Sequence, residues 1–456
     1  MTGELTGQVI DLVVRHAPAG TEAEVTAEAE SHALTRFANS FIHQNVSETT
    51  TTVSLRLHTE GRTASGTTTV TDSGGLTGLV RRTLAASRLL PEDPHWPGVT
   101  PVCPATGTGH YDPATGAADP ATRAAVVRGI TDAAAGLAAA GYCRTTGVRA
   151  SFANTAGHRL DAASSSAAVD AVARTGSSDG VARAAGIRLA DIDGAALGAV
   201  AAAKARAAAN PVDLEPGRYE VILEPSAVTD LVMNLALWGY NGKALTEGRS
   251  FVDLGAAQLD SAVNLVDDPV GATAFGLPFD TEGTPGRVVD LVRDGVSVGV
   301  AHDRRTAAEA KATSTGHATG VAFGPFAGNI RLEPGTAGTA ATGDRPISDP
   351  ASAGLLAGVR RGLLVTDLWY TRVLDPRTLV VTGLTRNGVW LIENGEIVRP
   401  VSNLRFTQSY PDGLGAGQVR AIGGLATTVP YHWGVVSITA PPVHLASWHF
   451  SGGAAG

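Results

Sequence analysis

The hydrophobic positions of this chain change period several times, and each change marks an element. Apolar residues recur at helical spacing through Met1–Pro18, interrupted by Glu4 and Asp11, which predicts an amphipathic helix. Glu24–Glu30, Leu34–Ile42, Thr50–Thr59 and Arg62–Thr71 alternate instead and predict a meander of strands. Threonine fills two of them, in keeping with β-propensity on a half-exposed face. Helical spacing returns at Gly75–Leu90 and Ala121–Ala140, on either side of the proline-rich His95–Gly107. Val148–Ala163 reads as a strand pair turning at Asn154-Thr155-Ala156-Gly157. The alanine-, serine- and glycine-rich stretch from there to Gly186 shows no usable period. Asp191–Ala209 is a helix stopped by Asn210-Pro211.

Tyr219, Val221 and Leu223 then alternate as a strand up to Pro225, and a helix follows. Ser226 is placed to cap it, Asp230 suits the positive end of its dipole, and Val228, Leu231, Val232 and Leu235 recur at i, i+3, i+4, i+7. Gly239 and Asn241-Gly242 end it. Gly276–Gly320 reads as short strands and turns, with a hairpin at Asp294-Gly295. Residues 336–354 offer almost no apolar side chain, which fits either a gate or a plain surface loop. In Gly362–Ser409, Asn387-Gly388 and Asn394-Gly395 each supply a positive-φ pair, predicting an antiparallel meander. The pattern predicts an α+β protein. Residues 1–210 form a layered domain of helices on an antiparallel sheet, and residues 211–456 form a β-rich domain with a central helix at 226–240.

The composition narrows the function classes. At 456 residues the chain can bury a large core. Its net charge of −8, with Lys and Arg scattered, is a poor fit to nucleic-acid binding. Cys103 and Cys143 are too few for a disulfide framework, and a reducing, cytoplasmic setting fits. No apolar run is long enough to span a bilayer, and the N-terminus does not read as a signal peptide. No G-x-S-x-G elbow and no G-x-x-x-x-G-K-[ST] phosphate loop occurs. His444 and His449 are five residues apart on an alternating tail. Strand alternation would put them on opposite faces, so a metal site is set against structural or interface histidines. His432 lies between aromatics in PYHWG.

The strand–Pro–helix–Gly pattern of Tyr219–Phe251 resembles the centre of the TldD/PmbA (modulator of DNA gyrase) family of metallopeptidase-related proteins. Leu34–Asn45, Gly328–Gly335 and above all Gly362–Ser409, with Asp375-Pro376 and Thr382-Gly383, are similar to the same family. In its metallopeptidase members the helix carries H-E-x-x-x-H, and the aligned positions here are Met233, Asn234 and Trp238. A thioether is a poor zinc ligand, an amide cannot take a proton from water, and an indole has no lone pair to offer. No histidine occurs between His158 and His302, and no cysteine after Cys143 to supply the family's third ligand. A spacing of five also sets two ligands ~140° apart on a straight helix, so the resemblance implies a bend or bulge there.

The ending resembles the metal-free branch typified by the PmbA (TldE) subunit. The resemblance therefore implies a chain with no catalytic residue, metal or cofactor of its own. It implies a heterodimer with a homologous H-E-x-x-x-H TldD-like subunit that carries zinc, enclosing a cavity for peptides or peptide-like amides. Trp238, Tyr240, Trp369, Tyr370, Arg372, Asn403 and Arg405 are the expected substrate-binding side chains; for those of the C-terminal meander, simple sheet packing is the alternative. A stand-alone homodimeric peptide-binding or scaffold protein is the second reading. An autonomous hydrolase ranks last.

Overall fold

The computed structural model describes residues 2–337, 350–430 and 436–453. The predicted 336–354 loop falls largely, and His432 wholly, outside them. The chain opens with α1 (Thr2–His16), then β1 (Glu22–Ala38), β2 (Phe41–Thr59) and β3 (Arg62–Thr68), then α2 (Ser73–Ser87). The two strands expected at Glu24–Glu30 and Leu34–Ile42 are mostly one strand, because Ser31–Ala33 keep the alternation and the chain reverses only at Asn39-Ser40, both at positive φ. After a short turn, α3 (Pro113–Gly116), come α4 (Pro120–Ala133), β4 (Ala138–Asn154), β5 (Arg159–Arg174), β6 (Asp179–Gly186) and α5 (Gly194–Ala207). The predicted helix end at Ala140 is thus already strand.

Strands β1–β6 form one antiparallel sheet in the order β3-β2-β1-β4-β5-β6. One face is covered by helices. Leu5, Val9 and Val13 of α1 and Leu76, Leu79 and Val80 of α2 pack on Val25, Ala27, Leu55 and Leu57. Val127 and Ile130 of α4 pack on Phe37, Cys143 and Val169. The opposite face turns toward the rest of the chain, and its even-numbered positions on β1, β2 and β5 carry Glu24, Arg56 and Asp170.

The remaining strands are β7 (Gly217–Leu223), four short ones, β8 (Leu265–Asp267), β9 (Val289–Arg293), β10 (Val296–Ser297) and β11 (Asn329–Leu332), and then β12 (Arg361–Asp375), β13 (Val380–Glu393), β14 (Glu396–Pro400), β15 (Leu404–Ser409), β16 (Val419–Ile422), β17 (Thr427–Pro430), β18 (Ser437–Ala440) and β19 (Val443–Gly453). Between β7 and β8 lies α6 (Pro225–Asn234). β12, β7, β19, β15 and β13 pair in sequence, and β13 pairs back to β12, so these five strands close into a ring. Val221, Leu223, Leu363, Val365, Leu445 and Trp448 belong to the large core cluster that this ring shares with α6. A second sheet, β10-β9-β8-β11-β18-β17, packs beside it, and α6 touches its β11, β17 and β18. Gly276–Gly320, expected as β-rich, holds only β9, β10 and a short helix at Arg304–Glu309; the rest is irregular. The fold is mixed α+β, as the pattern predicts.

Two Asn-Gly pairs have different outcomes. Asn394-Gly395 makes the β13–β14 hairpin turn. Asn387-Gly388 lies inside continuous β13, where Thr366 of β12 faces both residues across a bulge. Both need positive φ, 59° at Asn387 and 127° at Gly388, and a Cβ on Gly388 would stand 2.1 Å from Trp390.

Candidate functional site

Helix α6 begins at Pro225, whose missing N–H costs nothing in a first turn, with Glu224 rather than Ser226 in the capping position. Glu224 is buried and paired with Lys204 of α5 at 2.6 Å. At Leu235–Gly239 the helix widens into a π turn, and Tyr240 N–H reaches back five residues to Leu235 C=O at 2.9 Å. The extra residue swings Trp238 round toward the side that carries Met233 and Asn234. All three line one cavity of 540 Å³. The bulge implied by a five-residue spacing is therefore present in this chain.

The opposite wall is the outer half of β12, Asp367–Val373. A bulge there sets Tyr370 and Thr371 against the single residue Gly383, with Tyr370 at φ 54°. That conformation is strained for an aromatic residue. It turns the Thr371 hydroxyl inward, to donate to Asp230 Oδ1 at 2.8 Å. Tyr410 OH donates to Asp230 Oδ2 at 2.8 Å, and the Asn234 amide donates to Asp230 C=O at 2.9 Å. Burial pushes the Asp230 carboxyl up to about 7, against the lowering effect of Thr371 and Tyr410 and with the help of the Asp367 charge.

Arg183, from β6 of the first sheet, enters the same cavity. Its Nη1 bonds Asp367 Oδ2 at 2.8 Å and its Nε bonds Asp170 Oδ2 at 2.7 Å. Asn387 Nδ2, presented by the β13 bulge, donates to the same Asp367 oxygen at 3.0 Å. Nearer the surface, the Arg372 guanidinium stacks 4.2 Å over Tyr370, which is 65% exposed, and Arg386 stacks 4.6 Å over Trp369.

Of the seven expected substrate-binding residues, Trp238, Trp369, Tyr370 and Arg372 line this cavity together. Tyr240 does not. Beyond the π turn its ring points into the core against Phe251, with its OH on Ser297 Oγ at 3.2 Å. Asn403 and Arg405 are also outside it: Asn403 just precedes β15, and Arg405 is exposed on that strand, whose inward residues are Leu404 and Phe406. Asp367, Thr371, Tyr410 and Arg183 are not among the expected residues. Asp230, expected as a dipole partner, lines the cavity, since a position three before Met233 shares its helix face. Arg183 fell in the small-residue stretch that shows no period.

The tail histidines share a face rather than opposing one another. A bulge at Ala446-Ser447 resets the alternation, so His444 lies beside Ile222 and His449 beside Arg218. Those partners are four positions apart on β7, about 13 Å along a strand. His444 Nε2 meets Glu220 at 2.8 Å, and His449 Nδ1 meets Thr407 C=O at 3.1 Å. Among the described residues no group of three His, Cys, Asp or Glu side chains is arranged to hold a metal. The donor set facing the cavity does not fit zinc either, since the Asn234 amide nitrogen is donating to Asp230 and Met233 offers only a thioether.

Residues 216–452 match the family described as the PmbA/TldA metallopeptidase C-terminal domain. No curated protein matches the chain. Among solved structures, TldE from Thermococcus kodakarensis is 16% identical with a TM-score of 0.84, covering 98% of this chain and 100% of that one. A protein described as a modulator of a DNA gyrase from Thermotoga maritima is 17% identical with a TM-score of 0.82, covering 98% and 99%. One so described from Bacteroides thetaiotaomicron is 17% identical with a TM-score of 0.81, covering 98% of each.

Proposed function

This chain belongs to the PmbA/TldD family of metallopeptidase-related proteins, and from that premise we propose that it is a non-catalytic, cytoplasmic subunit that shapes a peptide-binding cavity. Its partner would be a homologous TldD-like chain bearing H-E-x-x-x-H, and the zinc and the hydrolytic step belong to that partner. One observation carries the reading. Helix α6 keeps the π turn that delivers positions 233, 234 and 238 to a common cavity, yet fills them with side chains that neither bind zinc nor activate water. The geometry of a peptidase helix is retained without its chemistry. What remains suits binding: Trp238, Trp369 and Tyr370 offer an aromatic wall, and buried acids provide fixed polar contacts.

Co-expression with a TldD-like homologue tests this. The expected result is a complex that co-elutes and hydrolyses peptides or peptide-like amides, with activity abolished by changing the partner's motif glutamate to Gln. If the homologue alone is as active as the mixture and the two never co-elute, the subunit reading fails and a stand-alone peptide-binding protein replaces it.

A further inference from the structure

Arg183 lies between two carboxylates, Asp170 and the cavity-lining Asp367. The side chains of Arg183, Asp170 and Asp367 are 9%, 15% and 6% exposed. One guanidinium therefore faces two acids within ion-pair distance. Asp230, on the facing wall, is a third acid. Arg386, across the ladder from Asp367, and Arg372 are stacked on rings, and among the described residues neither is within ion-pair distance of Asp367.

Asp367 also keeps one oxygen open. Arg183 and Asn387 both bind Oδ2, while Oδ1 accepts no hydrogen bond among the described residues. The side chain itself lines the cavity. An open carboxylate oxygen on a side chain that is otherwise held, facing a space walled by aromatic residues, suits a cationic donor. A guanidinium would seek both oxygens in a fork, and one of them is already taken. A divalent metal would need more side-chain ligands than the described residues bring together.

We infer that this end of the cavity is a subsite for a primary ammonium group, anchored by Asp367 Oδ1 with the indole of Trp238 among its walls. The inference rests on the peptide-binding reading above and gives the bound chain a direction: its amine enters deepest, and its remainder leaves past Tyr370 and Arg372. A peptide's amino terminus and a lysine side chain present the same chemistry. An ammonium on a flexible chain keeps three donors for the open oxygen and gains from an aromatic face once desolvated.

The test uses the full-length chain and three fluorescently labelled hexapeptides of otherwise equal sequence, compared by anisotropy. One has a free amino terminus and no lysine, one is N-acetylated with a single lysine, and one is N-acetylated without lysine. At least one amine-bearing peptide is expected to bind roughly tenfold tighter than the amine-free one. Whichever does so identifies the source of the ammonium. Asp367→Asn should erase the difference between the amine-bearing and the amine-free peptides, and a difference that persists in this variant overturns the anchor. Equal binding of all three to the unaltered chain overturns the ammonium subsite but leaves the peptide cavity standing. Binding of none overturns the cavity reading and the subsite with it.

Discussion

Asp230 shows how much one residue's surroundings decide. Buried on α6, it carries two hydroxyl donors on its carboxylate oxygens and stays near neutrality in its protonation, at about 7. Thr371→Val removes the Oδ1 donor and leaves nearly the same shape. The loss should be about 1–2 kcal/mol, larger at pH 8, where the carboxylate is ionised, than at pH 6. Urea unfolding midpoints at the two values check it. At the rim the two candidate arginines separate. Arg372→Ala, which loses a stacked guanidinium lining the cavity, should weaken peptide binding about threefold. Arg405→Ala, outside the cavity, should leave binding unchanged, and titration with a labelled peptide distinguishes them.

At the scale of elements, the strongest periodic signals were legible and the close contacts of small residues were not. The five-residue spacing of the aligned motif already demanded a bulged helix, and α6 supplies a π turn at Leu235–Gly239. The Met233→His, Asn234→Glu, Trp238→His variant can therefore bring both imidazoles to one side. With no third ligand it should bind zinc weakly and show no appreciable cleavage of a fluorogenic peptide in zinc-containing buffer. Strong cleavage would mean two ligands suffice. By contrast, beyond the hairpin read at Val148–Ala163, the rest of β5 and all of β6 were illegible because alanine, serine and glycine carry almost no amphipathic contrast. Their helix α5 packs through the same smallness: a Cβ on Gly198 would stand 2.4 Å from Ile130 C=O of α4. Gly198→Ala should therefore cost about 1–3 kcal/mol, despite the better helix propensity of alanine, read as a lowered melting temperature. The cavity was half legible for a related reason. Trp369, Tyr370 and Arg372 announce themselves by type on one strand, but Arg183 meets Asp367 only through tertiary folding, and no local pattern joins residues so far apart.

Across the whole molecule, the face of the first sheet that lacks helices is held by charge. Besides Arg183–Asp367, Arg56 bridges Glu24 of its own sheet, at 2.6 Å, to Glu282, at 2.8 Å, with Asp280 beside them. Burial, outweighing the Arg56 charge and aided by Glu282 and Asp280, lifts the Glu24 carboxyl to about 8, and burial lifts Asp280 to about 7. The folded chain thus keeps a proton on Glu24 that the unfolded chain has already released, so stability falls as pH rises from about 4.5 to about 8. Glu24→Gln should remove that part of the slope, gaining about 1 kcal/mol or more on the parent at pH 8 and little near pH 5, as denaturant midpoints would record. The five-stranded ring has its own implication, in time rather than in energy. Its neighbours β7 and β19 come from opposite ends of the second half of the chain, Gly217–Leu223 and Val443–Gly453. A nascent chain that has emerged only as far as β15 holds β7 with one edge unpaired and an open hydrophobic interior. Closure waits for β19, so this half should fold slowly and late, and a ribosome stalled before Val443 would display an aggregation-prone sheet edge.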